Sequence, residues 1–254
     1  MTTTGSGRDM LKAGDWASWR VSPTDQKAGV PQPPVQKSFD AVARTIDLVP
    51  AASLTVGRMP LLDVLRRRRS RRKYASQPLT LEELSFLLWS TQGVDKVIQD
   101  GRVTLRPAPS AGARHPFETY LLVNRVSGVA PGLYRYLPLD HQLVFLSADA
   151  GLAERIHAAT YDQHVLSSAV TFIWTALPYR TEWRYASLSH KMIAIDVGHV
   201  CQNLYLAAEA IGAGTCAIGA YDQAGMDSVL GAYAGVDGID EFTIYLAPVG
   251  KLPG

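Results

Sequence analysis

The segment RRRRSRRKY (66–74) places seven cations around a single serine. The apolar residues Leu61, Leu62 and Leu65 ahead of it predict a short helix that ends near Arg68 and continues as extended chain. In extended chain alternate residues share a side, so Ser70, Arg72 and Tyr74 face one way and Arg69, Arg71 and Lys73 the other. Forked guanidinium donors around a small hydroxyl suit a phosphate or a polarised carbonyl. The same composition also describes a solvated basic turn.

Three further segments have chemical potential. RPAPSAGARHP (106–116) is rich in small residues that let a backbone approach a ligand closely, and His115 before Pro116 is held extended. GAGTCAIGAY (212–221) would let main-chain N–H groups face a flat heterocycle, though a helix end followed by a core strand reads equally well. Near the C-terminus, PVGKLPG carries the lone cation Lys251. Asp196, His199 and Asn203 share one side of a long helical stretch and read as a satisfied polar cluster. No GxGxxG opens a helix after a strand, and no GxxxxGK[ST], GxSxG or HExxH occurs. Cys201 and Cys216 have no metal-ligand spacing, so no metal site is expected.

The elements that must position these segments follow from periodicity. Thr80 and Glu83 form a capping box for a helix ending at Gly93. Strands are expected at FETYLLVN, GLYRYLPL and QLVFLS (117–147), at AVTFIWTAL (169–177) and at EFTIYLAPVG (241–250). Helices are expected at 152–161, around 224–230 and, longest, from about Ser187 to Gly212. In that last helix Ile193, Val197, Val200, Leu204, Ala208 and Ile211 recur every three or four residues. Strands interleave with helices throughout, which implies a mixed α/β or α+β body in one domain from residue 58 to 254. Residues 1–57, with the Pro-rich VPQPPVQ, read as an N-terminal extension.

At 254 residues, 47% hydrophobic and 19% charged, the composition is that of a globular domain. The net charge of +2 hides an asymmetry, because the basic run holds seven of the 25 basic residues and leaves a mildly acidic remainder. Nucleic-acid binders spread cations over a face, so a basic nucleic-acid-binding module is the weaker alternative. Apolar runs fall far short of a membrane span, and two cysteines with no signal-like start point to the cytoplasm.

In order and spacing the segments resemble the nitroreductase-like flavoprotein family, and most closely its SagB-type branch, known for azoline oxidation in modified peptides. The resemblance covers residues 58–254. It rests on RRRRSRRKY, PSAGARHP, GLYRYLP, DVGHVCQNLYLAAEAIGAGTCAIGAY and the terminal strand with Lys251. It implies an α+β fold, a mixed sheet flanked by helices, and an intertwined homodimer with FMN at the subunit interface. Arg68, Arg69, Ser70 and Arg72 would hold the FMN phosphate, ribityl chain and pyrimidine edge, with Lys251 also on the phosphate. Pro109, Ser110, Ala111 and Gly112 would approach the flavin from the partner subunit. Ala217, Ile218, Gly219 and Ala220 would lie along its ring. The implied activity is an FMN-dependent oxidoreductase that moves a hydride between a small organic substrate and flavin, with NAD(P)H or oxygen as second redox partner. Two positions depart from the family pattern. Ala113 stands where many members have Asn, and the Lys-Tyr pair of azoline-oxidising members is absent. Tyr179, Arg184 and Lys191 are the candidate catalytic substitutes.

Overall fold

The capping box forms as expected. Thr80 Oγ1 accepts from the Glu83 N–H (3.1 Å) and the Glu83 carboxylate accepts from the Thr80 N–H (2.9 Å), satisfying two donors that a helix start otherwise leaves orphaned. The protein is described by a computed structural model covering residues 4–254. Its helices are α1 (Thr4–Leu11), α2 (Trp16–Val21), α3 (Leu61–Arg67), α4 (Leu81–Gln92), α5 (Leu152–Ala159), α6 (Tyr179–Tyr185), α7 (Ser189–Ala210) and α8 (Gln223–Ala234). The strands are β1 (Thr45–Asp47), β2 (Lys96–Ile98), β3 (Val103–Leu105), β4 (Phe117–Val123), β5 (Gly132–Leu137), β6 (Gln142–Ser147), β7 (Val170–Ala176), β8 (Ala213–Thr215) and β9 (Phe242–Lys251).

Seven strands make one sheet in the order β1-β6-β5-β4-β7-β9-β8, and β2 and β3 form a separate hairpin. The fold is α+β as expected, but the sheet is less mixed than the resemblance implies. Every ladder is antiparallel, and parallel character is confined to the isolated bridges Ser70–Thr215 and Leu79–Val126. Short turns join β4, β5 and β6, and such turns can only return a strand antiparallel to its neighbour.

Alternation along β4 and β7 divides the core. Leu121, Val123, Phe172 and Trp174 face one apolar cluster with residues of α4 and α7, while Tyr120, Leu122 and Ile173 face another with residues of α5 and α8. A sheet covered on both faces reads as continuous apolar strands, and both β4 and β7 are buried along their whole length. In α7 the predicted stripe packs inward, with Ile193, Val197, Val200, Leu204 and Ala208 buried. The stripe on α3 does the opposite. Leu61, Leu62 and Leu65 are exposed and only Val64 is buried, because α3 rests on α7 through that one residue's face.

Residues 4–57 lie across this body. β1 extends the sheet edge on β6. Lys37 Nζ reaches the Glu241 carboxylate (2.5 Å) and the Ala234 carbonyl (2.8 Å), and its N–H donates to Glu118 (2.9 Å). Farther up, Trp183 Nε1 donates to the Val30 carbonyl (2.8 Å), and Trp16, Trp19 and Tyr185 stack edge-on or tilted with centroids 5.4–5.9 Å apart.

Candidate functional site

At Arg68 the helix α3 gives way to extended chain (φ −51°, ψ 125°), as the change of period predicted. The extended stretch lies against the sheet edge: Ser70 bridges Thr215, the Arg71 N–H donates to the Thr215 carbonyl (2.9 Å), and the Ala75 N–H donates to the Lys251 carbonyl (2.8 Å). Gly214 makes this approach possible, since a Cβ there would stand 2.6 Å from the Arg71 side chain.

Tyr205 of α7 fastens the arginine segment to the small-residue segment. Its hydroxyl hydrogen-bonds the Ser70 hydroxyl (3.2 Å) and accepts from the Ala217 N–H (2.8 Å). Its ring lies 5.6 Å beneath the Arg68 guanidinium, which orients that cation. Ser70 and Tyr205, 135 residues apart in the chain, thus meet where the small-residue segment also joins.

The charges there are not neutralised by the protein. Among the described residues no carboxylate pairs with Arg68, Arg69 or Arg72. Arg69 bends back onto the carbonyls of Arg66 (3.0 Å) and Arg68 (2.8 Å), while the Arg68 and Arg72 guanidinium groups have no hydrogen-bond partner among the described residues. Arg67 is exposed but approaches the buried Glu209 carboxylate at 3.5 Å, and the half-buried Arg71 packs on Gly214. Opposite, the N–H of Ala217 is taken by Tyr205 and that of Ile218 by the Leu246 carbonyl (2.8 Å). The N–H groups of exposed Gly219 and Ala220 make no bond among the described residues. The result is an open edge with spare cationic and N–H donors and no carboxylate, which suits an anion joined to a flat, acceptor-rich ring. Lys251 lies close in sequence register but is engaged elsewhere: its ammonium pairs with the Glu83 carboxylate and donates to the Ile211 carbonyl (3.3 Å).

The second segment is organised differently. Asp196 of α7 is buried and takes both available donors, the Ser110 hydroxyl (2.6 Å) and the Ala111 N–H (3.0 Å). Burial raises the Asp196 carboxyl, and those two hydrogen bonds pull it partly back. Ser110 Oγ in turn accepts from the His115 N–H (2.9 Å). Pro109 leads into this turn, and Gly112 follows with φ +61°, the left-handed region that glycine adopts at no steric cost. Nine residues of α7, roughly 13 Å of helix rise, separate Asp196 from Tyr205. One chain therefore does not bring Ser110–Gly112 onto the Arg68–Ala220 edge.

The three candidate catalytic side chains sit around α6 and the start of α7, beneath the N-terminal extension. Tyr179 Oη donates to Asp25 (2.7 Å), which raises the phenol further above its usual range. Lys191 Nζ donates to the Leu11 carbonyl (2.6 Å), and Arg184 lies over the Tyr185 ring at 5.4 Å. They do not converge on one point: Tyr179 and Lys191 are tied to different parts of the extension. His199 is exposed and Asn203 donates to the Ser90 carbonyl (2.9 Å), so the expected polar cluster on α7 reduces to Asp196. Sequence reasoning singled out neither Tyr205 nor the anchoring role of Asp196, although both lie in the most distinctive run, 196–221. Among the described residues no cluster of His, Cys, Asp and Glu could hold a metal ion, and no helix is long and apolar enough to cross a membrane.

Residues 65–251 match the family model described as the nitroreductase family. A Methanocaldococcus jannaschii protein named as a nitroreductase is 36% identical over 191 residues, 75% of this chain and 90% of that one. The trifolitoxin-processing protein TfxB of Rhizobium leguminosarum bv. trifolii is 30% identical over 142 residues, 53% of this chain but only 38% of TfxB. Among solved structures, a nitroreductase-type protein from Anabaena variabilis superposes with TM-score 0.69 at 24% identity, covering 86% of this chain and 43% of that one. A Desulfovibrio desulfuricans relative solved in complex with FMN superposes with TM-score 0.53 at 18% identity, covering 77% and 88% of the two chains.

Proposed function

The chain belongs to the nitroreductase family of oxidoreductases, and from that premise we propose that it is an FMN-dependent enzyme whose flavin sits on the Arg68–Ala220 edge. The observation that carries this reading is the Tyr205 clasp, which holds unpaired Arg68 beside the free N–H groups of Gly219 and Ala220. Arg68, Arg72 and the Ser70 hydroxyl supply a phosphate grip, with Arg69 at its rim. Gly219 and Ala220 offer donors to the ring edge, and Ala217 and Ile218 form the surface under it. When bound, FMN supplies the hydride-transfer chemistry between a small organic substrate and NAD(P)H or oxygen. The chain's part is to fix the cofactor, favour negative charge at the cationic edge and keep one ring face open. Lys251 contributes indirectly, by holding the α4 start against the end of β9.

The working unit in this reading is a homodimer. Support comes from three features. Ser110–Gly112 is anchored at Asp196, roughly 13 Å of helix rise along α7 from the Tyr205 clasp, α3 presents exposed Leu61, Leu62 and Leu65, and α7 exposes Ala194, Ile195 and Gly198. Exposed apolar surface of this kind marks an interface. The body 58–254 then carries the chemistry, and the extension covers α6 beside it.

A second reading, oxidation of azolines in a modified peptide, is favoured by the likeness to TfxB. In it Tyr179 or Lys191 would take the substrate proton, after release from Asp25 or the Leu11 carbonyl. FMN-loaded protein assayed against nitroaromatics, quinones and azoline peptides separates the two. Turnover of nitroaromatics or quinones with NAD(P)H supports the first reading, and azoline oxidation under air supports the second. An FMN-loaded dimer inert towards all three contradicts both.

A further inference from the structure

A cavity of about 720 Å³ opens between the N-terminal extension, the β2–β3 hairpin and the 110–114 turn. Its wall includes Arg102, Arg114, Arg184 and Gly112, and contains no Asp or Glu. Arg102 has a carboxylate of its own, Asp100 at 3.8 Å. The other two arginines have none. Arg114 is 6% exposed, its Nε donates to the Gly112 carbonyl (2.9 Å), and its terminal nitrogens have no partner among the described residues. The Arg184 Nε is buried with no hydrogen-bond partner among the described residues.

Nearby acids are committed elsewhere: Glu182 to His190 (2.9 Å), Asp25 to Tyr179 (2.7 Å) and Asp196 to Ser110. Each guanidinium is instead held over a ring, Arg114 over Trp183 at 5.5 Å and Arg184 over Tyr185 at 5.4 Å. Ring faces orient a cation but do not neutralise it. The two charges also repel, since Arg184 adds to the burial that lowers the Arg114 guanidinium. A buried cation without counter-charge is costly to keep, yet Arg114 is buried and Arg184 half-buried, and both line the open cavity. Gly112 stands between them, where a Cβ would lie 2.9 Å from Arg184 Cδ and 3.0 Å from its Nε.

We propose that Arg114 and Arg184 form an oxyanion-binding subsite that seats the carboxylate or phosphate of a molecule reacting at the flavin. The proposal deepens the flavin reading and rests on it for one point, the placement of Gly112 beside the cofactor. Two planar forks fit a carboxylate or phosphate with several parallel hydrogen bonds. The oxyanion has two chemical sources: the carboxylate of an organic substrate, or the pyrophosphate of a reduced nicotinamide dinucleotide.

Calorimetric titration with sodium benzoate and, separately, sodium pyrophosphate at constant ionic strength tests the site without flavin or turnover. At least one anion should bind. Arg184→Gln should weaken it about tenfold or more, from loss of charge-assisted hydrogen bonds, Arg184→Lys should weaken it less, and Arg155→Gln, on the remote helix α5, should leave it unchanged. In FMN-loaded protein, benzoate binding predicts a KM for 4-nitrobenzoate that rises about tenfold in Arg184→Gln, and a smaller rise for neutral 4-nitrobenzamide. Pyrophosphate binding predicts instead a KM for NADH raised by more than any change in turnover with dithionite. If neither anion binds, or if Arg184→Gln and Arg114→Gln bind both as the unmodified protein does, the subsite is overturned. Anion binding that depends on Arg184 in a protein that takes up no FMN upholds the subsite and overturns the flavin reading.

Discussion

The Arg68–Ala220 edge and the Ser110–His115 turn are both short loops rich in small residues, and both lean on α7. They differ in how their donors are spent. At the edge, Tyr205 uses one N–H and leaves Arg68, Arg72, Gly219 and Ala220 unsatisfied by protein. At the turn, Asp196 takes the Ser110 hydroxyl and the Ala111 N–H, and Ser110 accepts from His115, so those three donors are already spent within the protein. Buried polar groups must be paired, whereas donors left free at an open surface stay available to a ligand. The edge is thus the candidate grip, and the turn is a fixed wall with its free capacity displaced to Arg114 and Arg184 behind it.

The wall's rigidity can be broken from beneath. Arg180 and Glu118 form an ion pair at 2.5 Å with both side chains almost fully buried, and Glu118 also receives the Lys37 N–H of the extension. Arg180→Met should cost about 3–5 kcal/mol, because it strands a buried carboxylate. Urea unfolding checks this. A loss below 1 kcal/mol would show that the closed region is not held from this point.

A pH titration sharpens the same contrast. His115 is buried in the wall and its imidazolium is disfavoured, first by burial and then by the Arg106 charge, so that its pKa falls from 6.5 to about 3. The unfolded chain takes up that proton near 6.5 while the folded chain does not until about 3. Stability should therefore fall as pH drops through this window, by up to about 1.4 kcal/mol per pH unit from this group. His115→Gln should flatten that slope, as read by unfolding at pH 7, 6, 5 and 4; an unchanged slope would mean His115 is not a neutral buried group.

The smallest effect belongs to the clasp. Tyr205→Phe removes the bonds to Ser70 and Ala217, at a cost of about 1 kcal/mol in stability, because both partners can turn to water. FMN affinity should fall about tenfold as the two segments lose their common tether. Equal affinity in the variant would separate the clasp from cofactor binding.

Much of the frame was legible in the sequence because local rules dominate it. The capping box at Thr80 and Glu83, the α7 stripe and the short apolar run of β6 over 142–147 are set by residues within one or two turns of each other. The site was legible only in pieces. Ser70 meets Tyr205 across 135 residues, and Arg114 meets Arg184 through packing between α6 and the 110–114 turn, so spacing could not reveal either pair. Leu61, Leu62 and Leu65 mark the limit of periodicity: a stripe states that a face is apolar but does not say what covers it. Lys251 shows the converse limit, since a lone lysine after a strand carries no sign of the Glu83 carboxylate that engages it.

The most direct test of the account is a fluorescence-quench titration of FMN into the protein and its Arg68→Gln/Arg72→Gln variant, with thermal unfolding measured alongside. The account predicts one FMN per chain, a variant affinity about a hundredfold weaker and an unfolding midpoint that moves little, since among the described residues neither guanidinium has a hydrogen-bond or ion-pair partner and Arg68 loses only its contact with the Tyr205 ring. FMN bound equally well by both proteins, or by neither, would contradict it.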